Sequence, residues 1–203
     1  MGEMNDFSQQ IEFLQEHSTY ARRWLSARPE WVEWLQACGS KKIDFQGIEE
    51  LLAAYKVAPG GQDQDEAEFM ANLRLARQRL MLWVAFRDLN GMASLEEVTH
   101  SLSHFAELAV SDSIAFVRTD LKTRFGLPWS KTTDSEMPLM VVGMGKLGGL
   151  ELNLSSDIDL IFLYEHEGET VGAEKSLSNH EWFTRMGKRV IKLLSEHDAN
   201  GFV

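Results

Sequence analysis

Two aspartates separated by one residue are the strongest candidates for chemistry in this chain. Asp157 and Asp159 come directly before the apolar run Leu160 to Leu163. Because side chains alternate faces along an extended strand, we expect both carboxylates on one face, with Ile158 and Leu160 turned toward the core. Paired carboxylates suit hard divalent cations, which take oxygen ligands and bridge nucleotide phosphates. The spacing therefore predicts a Mg²⁺ site in which Asp157 and Asp159 are the metal ligands and the catalytic residues.

A glycine-rich turn precedes the aspartates and is a candidate nucleotide-binding loop. The residues that carry this prediction are Gly143, Gly145, Lys146, Gly148 and Gly149. Glycine lets the backbone turn tightly and approach a phosphate closely. A short helix from Leu147 to Asn153 would point free N–H groups at that anion, and Lys146 would add a positive charge. The turn and the aspartates together predict phosphate-transfer chemistry.

The segment from Val142 to Leu163 resembles the signature of nucleotidyltransferases related to DNA polymerase β, in which a Gly-Gly or Gly-Ser turn precedes a strand with Asp-x-Asp. More closely, it is similar to the glutamine synthetase adenylyltransferase family, whose members are also called adenylyl-removing enzymes. That similarity extends through Trp182 to Arg189 and to the final residues, Asn200 to Val203. The specific resemblance therefore covers roughly residues 140–203, with weaker similarity before it.

The resemblance implies adenylyl transfer on glutamine synthetase, which regulates nitrogen assimilation. Family members are long chains with two nucleotidyltransferase domains: the first removes AMP from a tyrosine by phosphorolysis, and the second attaches AMP from ATP. The motifs Glu-Leu-Asn and Ser-Ser-Asp-Ile-Asp, behind a helical region, resemble the first, adenylyl-removing half. In this reading Asp157 and Asp159 hold Mg²⁺, while Gly148, Gly149 and Ser156 hold the nonreacting phosphates.

The resemblance also implies partners and a limit on activity. Glutamine synthetase is the protein substrate, ATP, ADP or phosphate is the small-molecule partner, and the PII signalling protein is a candidate regulator. The family carries a third carboxylate on a strand beyond Val203, in an Arg-Val-Asp sequence. Glu196 and Asp198 do not obviously replace it. We therefore expect this chain alone to be inactive.

Two alternatives remain open at this level. The pattern Gly143-x-Gly145-x-x-Gly148 after an apolar strand, with Glu165 further on, also fits a dinucleotide-binding fingerprint. That reading is weak because a parallel crossover needs at least ~10 residues, and the span of residues 150–156 is shorter. The second alternative is a non-catalytic fragment that binds nucleotide or protein without turnover.

Composition narrows the class of protein. The net charge of −11 would repel a nucleic-acid backbone, so nucleic acid is not an expected partner. The single cysteine, Cys38, excludes an internal disulfide and fits a reducing compartment. The sequence lacks a long apolar run and the polar start, Met1 to Gln10, lacks a signal peptide's apolar core, so no membrane association is expected. We predict a cytoplasmic protein.

The elements that must position the site predict an α+β fold. Residues 1–127 read as a helical N-terminal region, and residues 128–203 as the start of a polymerase β-like nucleotidyltransferase core with a mixed sheet and flanking helices. Apolar spacing predicts one helix from Phe7 to about Leu25, ended by Pro29, and a long helix from Glu66 to about Leu89.

Polar residues mark the remaining helix starts. Asp44 is a predicted N-cap, and the pairs Ser94 with Glu97 and Ser178 with Glu181 are capping-box patterns. The long helix also carries four arginines, which we interpret as a solvated face: Arg74, Arg77, Arg79 and Arg87. His100 and His104 stand one turn apart but lack a third ligand, so we leave them out of the site.

Overall fold

The computed structural model describes residues 6–55 and 65–196. The first part of the chain is helical, with the bounds α1 (Phe7–His17), α2 (Thr19–Ala27), α3 (Glu30–Cys38), α4 (Phe45–Ala54), α5 (Glu66–Leu89) and α6 (Leu95–Phe125). The second part contains β1 (Leu127–Ser130), β2 (Ser135–Glu136), β3 (Met140–Gly143), α7 (Gly145–Gly148), β4 (Leu160–Leu163), β5 (Thr170–Val171) and α8 (Asn179–Ser195). The expected α+β fold with a helical N-terminal region is confirmed.

The predicted helix starts are confirmed by their caps. The side chain of Asp44 accepts a hydrogen bond from Gly47 N at 2.8 Å and begins α4. Ser94 and Ser178 cap α6 and α8 in the same way, each accepting from the backbone N–H three residues later. Such a cap satisfies a backbone donor that the first helical turn leaves free. Each cap joins residues that are three positions apart in the chain, which is why the sequence predicts these helix starts.

The helix predicted from Phe7 to about Leu25 is two helices. The backbone N–H of Ser18 donates to Leu14 O and closes α1, and the Ser18 side chain accepts from Ala21 N and opens α2. One serine is therefore the end of one helix and the N-cap of the next. The apolar spacing continues across the break, so it did not reveal the change in direction.

One cluster of buried apolar side chains joins the helical region to α8. Trp182 of α8 is 1% exposed, and its Nε1 donates to Gly126 O at 3.1 Å, where α6 ends. Arg189 of α8 pairs with Asp120 of α6 and with Glu66 of α5, the latter at 2.9 Å. These contacts fix α8 against α5 and α6. The division between residues 127 and 128 remains a prediction.

The strands pair in two small sheets. In the first, β1 lies between β2 and β5; in the second, β3 pairs with β4, with Gly143 opposite Leu160 and Met140 opposite Leu163. Every pairing among the described residues is antiparallel. The expected mixed sheet is therefore not seen in this part of the chain.

Antiparallel pairing of β3 with β4 also shows that the dinucleotide-binding reading is wrong. That fold needs a parallel pair joined by a full crossover helix. Here the connection between the two strands contains the single helical turn of α7. Among the helices of residues 6–55 and 65–196, none has the length and apolar character that a bilayer crossing requires.

Candidate functional site

Asp157 and Asp159 lie in an extended segment directly before β4. The strand itself begins at Leu160, three residues after Asp157, whereas the sequence predicts that both aspartates lie on the strand. Both aspartates are exposed, whereas Ile158 and Leu160 are partly buried and pack against the core. This alternation is what an extended backbone produces. The site roles of the two aspartates remain a prediction.

The backbone ladder brings the glycine-rich turn beside Asp159. Met144 N donates to Asp159 O at 2.9 Å, which continues the register of β3 and β4 by one residue. Met144 is also the N-cap of α7. The end of β3, the start of the glycine turn and the second aspartate are therefore held together by main-chain bonding.

The turn differs in shape from the prediction. The expected helix from Leu147 to Asn153 is replaced by the one-turn helix α7, which starts at Gly145 and ends at Gly148. Gly145 and Leu150 have φ values of 56°, so a left-handed residue lies at each side of the turn. A single turn aligns few peptide dipoles. Phosphate binding here would depend on the backbone shape and Lys146 rather than on a helix dipole.

Glycine is required at different positions of the turn for different structural reasons. A Cβ on Gly148 would lie 2.6 Å from Gly143 O, and a Cβ on Gly143 would lie 2.9 Å from Leu147 Cγ. A Cβ on Gly149 would meet nothing closer than Glu151 Cδ at 3.5 Å. Close packing therefore requires Gly143 and Gly148, and the positive φ favours glycine at Gly145. Gly149 has no comparable steric reason.

A hydrogen-bond network links the glycine turn to the aspartate segment. Lys146 Nζ donates to Ser156 Oγ at 3.4 Å, and Ser156 Oγ donates to Asn153 Oδ1 at 2.9 Å. Asn153 Oδ1 also accepts from Ser155 N at 3.1 Å. Asparagine side chains commonly bond the backbone two residues on and so fix a turn. Asn153 is a site residue that the sequence reading missed, although its place two residues before Ser155 was a usable signal.

Helix α6 contacts both the glycine turn and the segment that leads to the aspartates. Ser103 is fully buried, and its Oγ accepts a hydrogen bond from Leu152 N at 3.3 Å. Leu152 and Leu147 are buried together with Ala106 of α6 in a small apolar cluster. The helical region thus holds both the glycine turn and the start of the aspartate segment.

A cavity of about 580 Å³ lies between α5, α6, α8 and the segment that carries the aspartates. Its lining is mostly apolar, and it includes a few polar residues: Arg77, Asn153, Ser156, Asp157 and Ser195. Small-molecule sites commonly have this size and this combination of apolar walls with a few polar groups. Gly143 and Gly148 line a separate cavity of about 370 Å³. The bond between Lys146 and Ser156 connects the glycine turn with the aspartate segment.

The arginines of α5 do not form a solvated face, so that prediction is wrong. Arg74 is fully buried and donates to Glu196 O at the end of α8. Arg87 is buried against Glu97, with Nε 2.6 Å from Oε1. The guanidinium carbon of Arg79 lies 4.7 Å from the centroid of the Trp34 ring. These guanidinium groups join distant elements. A helical projection cannot show this because the partners come from elsewhere in the chain.

Arg77 is the α5 arginine that lines the large cavity together with Asp157. Burial lowers the pKa of its guanidinium, and the neighbouring Tyr20 and Asp157 partly offset that effect. Both residues belong to the lining of the cavity, so the charge of Arg77 lies in the neighbourhood of the aspartate segment. The helical region thus supplies a positive charge beside the aspartate segment.

The acidic side chains near the glycine turn are few in number for a metal site. No group of three or more His, Cys, Asp or Glu side chains that would hold a metal occurs in residues 6–55 and 65–196. Mg²⁺ is commonly held by one or two carboxylates, with water and substrate phosphates as the other ligands. The pair Asp157 and Asp159 fits that pattern. His100 and His104 each lie near a glutamate of their own helix, Glu96 at 3.9 Å and Glu107 at 3.5 Å.

The described chain combines a helical region, a glycine turn and paired aspartates. Its sequence matches a family of adenylyltransferases, which are a class of nucleotidyltransferase. The sequence model described as glutamate-ammonia ligase adenylyltransferase matches residues 8–203. The chain belongs to this family.

Several relatives carry the name bifunctional glutamine synthetase adenylyltransferase/adenylyl-removing enzyme. The protein from Ralstonia nicotianae is 41% identical over 197 residues, covering 95% of this chain and 20% of the relative. The protein from Burkholderia mallei is 40% identical over 188 residues, covering 92% and 20%. That from Thioalkalivibrio sulfidiphilus is 50% identical over 143 residues, covering 69% and 14%. The chain therefore spans about a fifth or less of the length of these relatives.

Proposed function

We propose that this chain takes part in adenylyl transfer on glutamine synthetase, with the site at Asp157 and Asp159. The observation that carries the proposal is the exposed aspartate pair alternating with the partly buried Ile158 and Leu160, beside a glycine turn. Membership of the glutamate-ammonia ligase adenylyltransferase family supports it. The relatives' names supply glutamine synthetase as the protein substrate.

The roles of the residues follow from their chemistry. Asp157 and Asp159 would hold Mg²⁺, which neutralises charge on phosphoryl oxygens when bound. Lys146 and the open backbone at Gly149 would bind the nonreacting phosphates, together with Gly143, Gly145 and Gly148 of the same turn. Ser156 is fixed by Asn153 and Lys146, so its hydroxyl is held close to that turn.

We also propose the adenylyl-removing direction. In that reaction an oxygen of inorganic phosphate attacks the phosphorus of the AMP-tyrosine ester, the bond from phosphorus to the tyrosine oxygen breaks, and the tyrosine takes up a proton. ADP leaves. The motifs Glu-Leu-Asn and Ser-Ser-Asp-Ile-Asp behind a helical region support this direction. A PII signalling protein as regulator and a cytoplasmic location belong to the same proposal.

Calorimetric titration with Mg²⁺ and ADP tests the site. We expect Asp157→Asn and Asp159→Asn to weaken Mg²⁺-dependent ADP binding at least about tenfold, because a carboxylate ligand of the metal is lost. Asp88→Asn is the matched control, since Asp88 is an exposed aspartate of α5 that does not line the cavity. Unchanged binding in both site variants would refute the assignment.

The direction is tested by turnover. Adenylylated glutamine synthetase with phosphate measures AMP removal, and unmodified glutamine synthetase with ATP measures AMP addition. We expect the family activity from this site in the removing assay, measured in a full-length protein that carries these residues. Inactivity of this chain alone stays a prediction, which the same two assays check.

A further inference from the structure

A cavity of about 340 Å³ lies in the helical region, between α3, α4, α5 and the connection before α4. It shares no lining residue with the cavity that includes Asp157. Its walls combine apolar and aromatic side chains with three basic residues, Lys41, Lys42 and Arg79. Small-molecule sites commonly have this size and this combination of groups. The proposed adenylyl transfer does not use this cavity, so it is a candidate site for a second ligand.

Arg79 of α5 lies close to three aromatic rings but has no acceptor for its N–H donors. Its Cζ lies 4.7, 5.4 and 5.5 Å from the ring centroids of Trp34, Tyr55 and Trp31. In the described part of the chain, no carboxylate or carbonyl oxygen accepts a hydrogen bond from its guanidinium. Its Nε is enclosed, whereas its two terminal nitrogens are not. An aromatic ring stabilises the charge without providing an acceptor oxygen, so the terminal nitrogens are available to an anion.

Trp83 of α5 adds a second donor without an acceptor to the same cavity. The residue is 6% exposed, and among residues 6–55 and 65–196 its enclosed Nε1 has no hydrogen-bond partner. Its ring meets that of Trp34 edge to face, with the centroids 5.9 Å apart, and both rings line the cavity. A buried indole N–H usually has a partner. Two donors that lack acceptors on the walls of one cavity indicate a ligand that brings acceptor oxygens.

The charges around the cavity also favour an anion. Lys41 and Lys42 are exposed and add positive charge beside Arg79. The two acidic residues of the lining are already bonded: Asp44 Oδ1 accepts from Gly47 N at 2.8 Å, and Glu50 Oε1 accepts from the Gln46 side chain at 2.8 Å. Three cations and two carboxylates give this cavity a positive balance, although the whole chain has a net charge of −11.

We propose that this cavity binds a small aromatic oxyanion, a carboxylate or phosphate carried on a flat ring. The terminal nitrogens of Arg79 hold the anion, and the rings of Trp34 and Trp83 contact the flat body of the ligand. A guanidinium matches both anions because each accepts two parallel hydrogen bonds. The proposal does not depend on the roles of Asp157 and Asp159. A bound ligand would join α3, α4 and α5, and would therefore stabilise the helical region against unfolding.

The experiment titrates the protein with phenyl phosphate, benzoate and the neutral analogue benzyl alcohol, in buffer without Mg²⁺, and measures binding by calorimetry. The variants are Arg79→Met, Arg79→Lys and Trp83→Phe. The matched control is Arg185→Met, because Arg185 also lies against an aromatic ring, with its Cζ 4.9 Å from the Phe125 centroid, but does not line the cavity. Thermal melts of every protein show whether folding is retained.

We expect Arg79→Met to weaken binding of the aromatic anion at least about tenfold, because a charge-assisted hydrogen bond is lost. Arg79→Lys should restore part of that affinity, since it keeps the charge but not the planar fork. Trp83→Phe should weaken binding a few-fold, because the ring remains and its N–H donor is lost. Benzyl alcohol should bind the wild type more weakly than the anions do, and Arg79→Met should not change its affinity.

The two anions identify the chemistry of the ligand. Tighter binding of phenyl phosphate supports a phosphate, and tighter binding of benzoate supports a carboxylate. Absence of binding by both anions would overturn the proposal, as would wild-type affinity in Arg79→Met or equal affinity for benzyl alcohol. If Arg79→Met fails to fold, wild-type affinity in both Arg79→Lys and Trp83→Phe overturns it.

Asp157→Asn separates this site from the proposed active site. Unchanged binding of the aromatic anion in that variant supports a separate cavity, whatever the variant does to Mg²⁺-dependent ADP binding. Loss of anion binding in Asp157→Asn would place the ligand at the aspartates and would overturn the second site.

Discussion

The helical region, residues 6–55 and 65–125, and the hairpin region, residues 140–163, use charge in opposite ways. In the helical region Arg87 and Glu97 are each 5% exposed in their side chains and bond at 2.6 Å. Arg87 also donates to Ser40 O at 2.8 Å and Met92 O at 2.9 Å. In the hairpin region Asp157 and Asp159 are exposed. Charge that is buried and fully bonded serves the fold, whereas exposed charge remains free to bind a ligand.

The ion pair of Arg87 and Glu97 holds the connection between α5 and α6 against the segment that precedes α4. Glu97 Oε1 accepts from Ile43 N at 3.1 Å as well as from Arg87. Burial by itself would raise the pKa of Glu97, but the bonds from Arg87 and Ile43 hold it below its ordinary value. A lowered pKa means that the ionised form stabilises the fold above the unfolded pKa. That contribution is lost as pH falls through the folded pKa.

The largest expected effect on stability comes from breaking this pair. We expect Glu97→Gln to lower the free energy of unfolding by about 3–5 kcal/mol, because Arg87 would keep a buried charge without its partner. Urea denaturation measures the change. The matched control is Glu181→Gln, whose exposed pair with Arg185 should be worth less than about 1 kcal/mol. Equal losses in both variants would contradict the comparison.

A second prediction concerns a buried acid that lacks such bonds. Asp112 of α6 is 6% exposed, and within residues 6–55 and 65–196 no hydrogen bond or ion pair reaches its carboxylate. Burial raises its pKa from 3.8 to about 6. We expect Asp112→Asn to raise the free energy of unfolding at pH 7 by at most about 3 kcal/mol, since each pKa unit corresponds to about 1.4 kcal/mol.

The sign of the Asp112 effect can be checked with pH. Between pH 3.8 and about 6 the folded protein binds this proton more strongly than the unfolded chain, so the wild type loses stability as pH rises through that window. The advantage of Asp112→Asn should therefore shrink as pH falls toward 4. Urea denaturation of both proteins at pH 4 and pH 7 measures it. An advantage independent of pH would show that charge burial is not its cause.

The glycine turn gives a third prediction with a paired control. We expect Gly148→Ala to cost about 1–3 kcal/mol, because its Cβ would approach Gly143 O to 2.6 Å and the backbone would have to shift. Gly149→Ala should change stability by less than about 0.5 kcal/mol, since its nearest contact would be 3.5 Å. Thermal or urea unfolding distinguishes them. Similar costs at both positions would mean that the turn packs differently.

The smallest expected effect on stability comes from the site itself. Asp157→Asn and Asp159→Asn should each change the free energy of unfolding by less than about 1 kcal/mol, because both side chains are exposed. Urea denaturation is the measurement, made beside the binding titrations. A large loss of stability in either variant would show that the aspartates serve the fold, and the contrast between the two regions would fail.

Much of the helical region was predictable because the signals are local. The helix from Glu66 to Leu89 and the caps at Asp44, Ser94 and Ser178 follow from apolar spacing and from side chains that bond the nearby backbone. The exposure alternation from Asp157 to Leu160 follows from the geometry of extended chain. The break at Ser18 was missed because the apolar spacing runs through it.

The candidate site was predictable in its residues but not in its shape. The motif indicates Asp157, Asp159 and the glycines, yet α7 is one turn long and starts at Gly145. Its form depends on Gly148 packing against Gly143 and on Leu147 packing against α6. Asn153 belongs to the site because its side chain accepts a hydrogen bond from Ser156. The family motif contains Asn153 but does not show this bond.

The sequence by itself determined the family, the helix starts and the residue types at the site, because these depend on neighbours a few positions away. Tertiary structure alone decided the fate of the charges on α5. Arg87 became half of a buried pair, Arg74 became a cap on α8, and Arg77 came to line a cavity with Asp157. Helical periodicity gives the direction of a side chain from its own axis. What the side chain meets there depends on residues that are distant in the chain and that come close only when the helices pack.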